Sequence, residues 1–498
     1  MDPKPRTIKS QSTRYWIGVA VQIHDALGEW STRPGPVYGR LAAAIRAAIE
    51  RGDIPPGAAL PPERTLAKRL AIGRSTVVAA YAQLRDGNLV DSRQGSGTWV
   101  RGAPRHADRE APREALRVAA LRDATALIDL ATAALPAHRL FRELLAGPPD
   151  QRTTAMLDTA GYIPAGLPEL RQALARMLTA QNLPTTPDQI LITTGDQQAL
   201  SLLCAHALHA GDTAVVEDPT SPGVLDILHD LPVAIRATQP AASDPTGLVP
   251  LIDRYQARLA YLMPTLGPHG RVLDTANRAR LARALADRTT TLVIDDTSQA
   301  GLTFQPAPPP LAAYAPGGNL VTVGSFTKLH WGGLRLGWIR GPATLIATLT
   351  RAKARADLGS PLLDQLLAVR LLDHEDQVRA DRLETLNTCL AHAGAVLARA
   401  DALPDFSWQP PDGGLSLWLR LPFGTATAFA EVATRLGVAV VPGALLSPQR
   451  NTDDHVRLVY ARPPEIFDEG IRRLAAAWRQ YRTSATITAD YPQAPVLV

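Results

Sequence analysis

Cysteine is nearly absent from this 498-residue chain, which has only Cys204 and Cys389, and lysine is almost as scarce, with five against 47 arginines. Two cysteines, both in apolar helical contexts, exclude a disulfide scaffold and fit the core of a protein in a reducing compartment. No apolar run reaches transmembrane length, and residues 1–6 open the chain without the apolar segment of a signal peptide. A cytoplasmic protein outside any membrane is expected, with no metal site. The scarcity of lysine has a sharper use. A chain that otherwise favours arginine keeps Lys328 just after an apolar, β-branched run, 319–323, in Ser325-Phe326-Thr327-Lys328 and ahead of Arg335 and Gly337. An amine can condense with an aldehyde and a guanidinium cannot, so this position reads as one that needs an amine rather than a charge.

The length implies roughly three folding units, and 46% apolar residues supply large cores. Charge is unevenly spread. Residues 1–101 hold 15 Lys and Arg against eight Asp and Glu, although the whole chain carries only +5. A basic head on a near-neutral body suggests a polyanion-binding module. Residues 1–36 read as an N-terminal arm. A helix is expected over 37–51, a second from near Pro62, and a third within 71–84 that carries Arg74, Ser75 and Thr76 in its first turn. This is a helix-turn-helix, whose second member enters a major groove. Arg74 suits a guanine edge, and Ser75 and Thr76 suit phosphates. Two short strands around 94–97 form a glycine-tipped hairpin, which bounds a module of 37–101. Residues 102–127 are mixed in charge, poor in large apolar side chains, and read as a tether.

From 128 to 498 helical segments alternate with short strands at 189–193, 213–217, 259–263, 291–294 and 320–323. That pattern argues an α/β fold with a mainly parallel sheet covered by helices. Polar groups gather at the strand ends. Gly195 opens a helix whose N-terminus favours an anion. Asp295 closes an apolar strand, where a carboxylate suits a pyridinium nitrogen.

Taken in order, the motifs Pro56-Gly57, Leu60-Pro61, Arg64, Leu66-Ala67, Arg74-Ser75-Thr76-Val77 and Gly95-Ser96-Gly97-Thr98 resemble the winged helix of GntR-family regulators. Ile72-Gly73 stands where Val-Ser is usual. Residues 161–171, Gly195, residues 217–223, Asp295, Ser325 with Lys328 and Arg335, Gly413-Gly414 and Arg457 resemble the fold-type I pyridoxal-phosphate enzymes. A winged helix tethered to that aminotransferase-like fold is similar to the MocR-type regulators. The resemblance implies that Arg64, Arg74, Ser75, Thr76 and Gly97 contact operator DNA. It also implies that Lys328 forms a Schiff base with pyridoxal 5'-phosphate and that Asp295 pairs with its ring nitrogen. Ser325, Arg335 and the amides at Gly195, Asp196 and Gln197 would hold the phosphate, and Arg457 the carboxylate of an amino-acid or other amine effector. A homodimer is implied in the same way.

Four positions depart from that pattern. Ser221 stands where an aromatic ring stacks on the cofactor, Thr297 where a tyrosine is usual, and Gly267 where a side chain approaches the ring hydroxyl. Asp196 brings a carboxylate to the phosphate loop, where capping the helix would repel a dianion. Efficient transamination is therefore not expected. Beside a cofactor-dependent sensor, two readings stay open: an aminotransferase with an accessory domain, and a cofactor-free regulator with a degenerate pocket.

Overall fold

The computed structural model describes residues 27, 30, 35–50, 54, 59–87, 89–93, 97–100, 127–147, 151–240, 244–315, 318–399 and 401–489. The chain divides near residue 110 into two compact units. Most of the expected N-terminal arm, the tether up to residue 126 and the hairpin tip at 94–96 lie outside the described residues.

The smaller unit contains α1 (Val37–Glu50), β1 (Ala59–Leu60), α2 (Glu63–Arg69), α3 (Arg74–Asp86), β2 (Val90–Arg93) and β3 (Gly97–Val100). Leu41, Ile45 and Ala48 of α1 recur at helical spacing and pack with Leu66, Val77, Tyr81 and Leu84 in one core. Val37, expected on that face, is 38% exposed at the start of its helix. The Tyr81 hydroxyl donates to the Pro61 carbonyl at 2.8 Å, which fixes α3 against the chain entering α2. Strands β2 and β3 pair antiparallel as a hairpin. The two-residue β1, too short for its alternation to be read, adds to the other edge of β3.

The larger unit begins with the short strand β4 (Ile128–Asp129). It is built on a seven-stranded sheet of β5 (Ile190–Thr193), β6 (Thr213–Glu217), β7 (Ala234–Thr238), β8 (Leu259–Leu262), β9 (Leu292–Asp296), β10 (Leu320–Ser325) and β11 (Gly337–Arg340). Their order across the sheet is β5-β11-β10-β9-β8-β6-β7. Strands β6, β8, β9 and β10 run parallel and are buried almost throughout, as continuous apolar runs covered on both faces must be. Strand β11 is antiparallel to both β10 and β5, an exception that the short sequence Gly337-Trp338-Ile339-Arg340 does not announce. Because Ser325 lies opposite Gly337, residues 326–336 form a loop pinned at both ends by adjacent strands.

Two close approaches shape that corner. Helix α4 (Gly195–Ala207) starts directly after β5, with Gly195 at a φ of +76°. A Cβ on Gly337 would lie 2.6 Å from the Gly195 carbonyl carbon and 2.8 Å from the Asp196 nitrogen, so only glycine lets β11 run against the first turn of α4. A smaller three-stranded sheet carries Ser416–Arg420, Val441–Pro442 and His455–Val459. Residues 128–134 are tied to this smaller subdomain. Ile128–Asp129 pairs with Val438–Ala439, the Val459 amide donates to Leu130 at 2.9 Å, and Arg462 donates to Thr132 at 2.7 Å.

Candidate functional site

At the C-terminal ends of the central strands, where open α/β sheets bind ligands, lies a cavity of about 280 Å³. Charged and polar groups line it: Asp196, Gln197, Asp296, Ser298, Lys328 and Arg457. Lys328 comes from the pinned loop, and its ammonium nitrogen donates to the Ala133 carbonyl at 2.9 Å. Burial pushes its pKa down, while the carboxylates of Asp196 and Asp296 pull the other way and Arg457 adds to the depression. Arg457 enters from the smaller subdomain and donates to the Ala131 carbonyl at 3.0 Å.

Of the two adjacent acids that end β9, Asp296 faces the cavity and Asp295 does not. Successive side chains of a strand point to opposite faces, so only one of the pair can. Asp296 accepts from the Tyr261 hydroxyl at 2.5 Å and from the Ser298 amide at 2.9 Å, and burial raises its pKa. Asp295 accepts from the Leu311 amide at 2.7 Å, and burial pushes its pKa up to about 6 against the pull of Arg278. Arg278 is itself fully buried, donating to the Leu273 and Pro264 carbonyls at 2.9 Å. Asp295 is therefore corrected from a cavity-lining position to a buried carboxylate held by the Leu311 amide, within the electrostatic reach of Arg278.

The same change of face moves the expected tyrosine position. Thr297 turns away, its hydroxyl donating to the Val323 carbonyl at 2.9 Å, and it is Ser298 that lines the cavity. Ser325 is also displaced. It lines a second cavity of about 720 Å³ with Thr297, and its hydroxyl donates to Thr327 at 2.9 Å. Arg335 is exposed in a left-handed conformation, with its guanidinium beside the start of α4, 3.6 Å from where a Gly195 Cβ would sit. Gln197 lines the cavity and donates to the Gly223 carbonyl at 2.9 Å. Asp196 does not cap its helix: the Thr194 amide at the α4 N-terminus donates to the Gln198 side-chain oxygen at 2.8 Å, and the Asp196 carboxylate lines the cavity instead. Ser221 and Gly267 line it too, and no aromatic side chain does so among the described residues. Asp296, Ser298 and Gln299 were not singled out from the sequence. Only a β9 carried two residues past Ile294 would have drawn attention to them.

In the smaller unit Arg64, Arg74 and Ser75 are exposed and Thr76 is partly so, all at the start of α2 or α3. The Arg74 guanidinium rests 3.2 Å from the Glu63 carboxylate. Gly97 begins β3 opposite Arg93, the last strand pair before the hairpin turn.

The description of bacterial regulatory proteins of the gntR family fits residues 37–100, and that of class I and II aminotransferases fits residues 137–474. The chain is a GntR-type regulator fused to an aminotransferase domain of class I and II. This is the MocR-type arrangement. The regulator is 28% identical to the HTH-type transcriptional regulator TauR of Rhodobacter capsulatus over 486 residues, 89% of this chain and 97% of that one. It is 30% identical to the 2-aminoadipate transaminase of Thermus thermophilus over 329 residues, 64% of this chain and 80% of that one. The crystal structure of LysN, an alpha-aminoadipate aminotransferase from Thermus thermophilus, superposes with a TM-score of 0.66 at 26% identity, covering 75% of the regulator and 96% of LysN. The regulator thus has a fold-type I domain behind a DNA-binding head. No helix among its described residues is long and apolar enough to cross a membrane, and no group of metal-ligating side chains is found there.

Proposed function

We propose that the regulator senses a small amine or amino acid in the Lys328 cavity and passes the occupancy of that cavity to a DNA-binding head. The observation that carries this reading is a half-buried amine of lowered pKa, lining a small cavity together with a buried carboxylate and an arginine. Such an amine is available as a nucleophile toward a carbonyl compound.

Pyridoxal phosphate is the cofactor that this fold family suggests, and LysN was solved with N-(5'-phosphopyridoxyl)-L-leucine. The donor set fits it at the ring, where Lys328 would meet the aldehyde and Asp296, rather than Asp295, the ring nitrogen. At the phosphate pole the N-terminus of α4 and the nearby Arg335 fit an anion, with Asp196 as one added carboxylate. When bound, the cofactor supplies an aldehyde that can be exchanged between amines. Lys328 contributes the amine, Asp296 holds a proton or positive charge against itself, and Arg457 receives the carboxylate of an amino-acid effector. The absence of an aromatic wall favours sensing over turnover.

On the DNA side, Arg74 would read a guanine edge, Arg64, Ser75 and Thr76 would take phosphates, and Gly97 would let the wing approach the backbone. A homodimer fits the exposed Leu157, Tyr162, Leu358 and Leu363, two stretches that meet where Gly359 packs on Ile163. A cytoplasmic location follows from the DNA partner. The deciding experiment is the visible absorbance of the purified protein with added pyridoxal phosphate, before and after borohydride, in wild type and Lys328→Ala. A band that needs Lys328 and is fixed by borohydride supports the reading. A band that survives the substitution removes Lys328 from it, and no band at saturating cofactor leaves a cofactor-free sensor.

A further inference from the structure

Asp196 sits where an anion would be expected. The first turn of α4 exposes amides that lack helical partners, and the helix dipole favours negative charge there. Arg335 reinforces that preference from beside Gly195. Against it stands the Asp196 carboxylate. It lines the cavity and accepts no hydrogen bond from the described residues, while at the helix end it could have capped the Thr194 amide donates to Gln198 instead, at 2.8 Å. Its field reaches the Lys328 amine, the Asp296 carboxylate and the Tyr261 hydroxyl. A phosphate bound at this helix end would meet a like charge in a confined space.

We propose that Asp196 is a specificity-determining residue that sets the cavity against phosphate esters, shifting its preference toward unphosphorylated carbonyl compounds of pyridoxal size. The proposal rests on the reading of Lys328 as the carbonyl-reactive amine. The Lys328 nitrogen lone pair adds to the carbonyl carbon, the carbonyl oxygen leaves as water, and a C=N bond remains, with no oxidant or reductant required. That step is the same for pyridoxal and for pyridoxal phosphate. What differs is the charge at the far end of the ligand, which Asp196 at the start of α4 opposes and which the α4 amides and Arg335 attract.

The test uses the full chain, titrated separately with pyridoxal and with pyridoxal 5'-phosphate and read by visible absorbance. Asp196→Asn is expected to tighten pyridoxal phosphate by about 10- to 100-fold, the effect of removing one like charge a few ångströms from a partly solvated dianion. Pyridoxal affinity should change by less than about threefold, and Asp196→Glu should behave as wild type. The ratio of the two affinities is the readout because Asp196 also supports the charged form of Lys328, an influence shared by both ligands. An unchanged ratio in Asp196→Asn overturns the proposal and leaves the Lys328 reading standing. Equal tightening of both ligands overturns it as well, since Asp196 would then act through Lys328 alone. If neither compound binds wild type or variant, the Lys328 reading and the proposal fall together.

Discussion

Replacing Asp295 and Asp296 one at a time by asparagine should separate two roles that lie a single residue apart. Asp295 is fully buried, and its pKa stands at about 6 rather than the usual 3.8. Between those values the folded chain keeps a proton that the unfolded chain has released. Stability therefore rises as pH falls from about 6 to about 4, and above pH 6 the ionised group costs roughly 3 kcal/mol relative to its protonated form. Asparagine keeps an acceptor for the Leu311 amide and removes the titration. On going from about pH 7 to about pH 5, wild type should thus gain ~1 kcal/mol relative to Asp295→Asn, read as a difference in unfolding midpoints. Ligand spectra of Asp295→Asn should stay those of wild type. Asp296→Asn should do the reverse, altering the spectrum and its pH dependence, because Asp296 lines the Lys328 cavity and Asp295 lies outside it. Identical pH slopes for wild type and Asp295→Asn, together with a ligand spectrum altered by Asp295→Asn alone, would refute the assignment of faces.

Arg74→Ala should abolish binding to the DNA upstream of the protein's own gene while leaving the melting of the larger unit unchanged. Retained affinity in a gel-shift titration would remove Arg74 from the interface. Lys353 is fully buried, and its ammonium bonds Asp357 at 2.6 Å and Gln198 at 2.8 Å. Lys353→Met should cost about 1–3 kcal/mol, less than a wholly buried pair because Asp357 is partly solvated. Thermal unfolding at neutral pH measures it. Gly337→Ala should push the first turn of α4 off β11, lowering both the melting temperature and the affinity for pyridoxal phosphate. An alanine variant that binds as wild type would mean that the turn can yield.

The α/β architecture, the DNA-binding helices and the Lys328 loop were legible because each has a local signature: helical spacing of Leu41, Ile45 and Ala48, a glycine at a helix start, or a lysine in a lysine-poor chain. What the sequence withheld was orientation. Two neighbouring aspartates at a strand end look alike in one dimension, and choosing between them requires knowing which way the pleat turns. Taking Asp295 put Thr297 rather than Ser298 in the tyrosine's place, since one residue of parity flips every side chain. Strand β11 escaped because four residues beginning with glycine carry no alternation. Its antiparallel direction comes from the loop's return and not from composition. Asp196 could be recognised as unusual, but whether its carboxylate capped the helix or faced the cavity was a rotamer question that spacing could not decide.

The hydrogen bond from Lys328 to the Ala133 carbonyl has a mechanical consequence. Lys328 belongs to a loop clamped between β10 and β11, whereas Ala133 belongs to a strip of chain stitched to the smaller subdomain. A free ammonium has three hydrogens on a rotor and can follow that carbonyl through small displacements. A nitrogen engaged in a C=N bond has at most one hydrogen, held in a fixed plane, and can no longer serve as the same tether. Because the lysine's own loop is pinned, the slack created when it reacts has to be taken up on the Ala133 side. Chemistry at one nitrogen would then be felt as a loosened strap on the neighbouring subdomain.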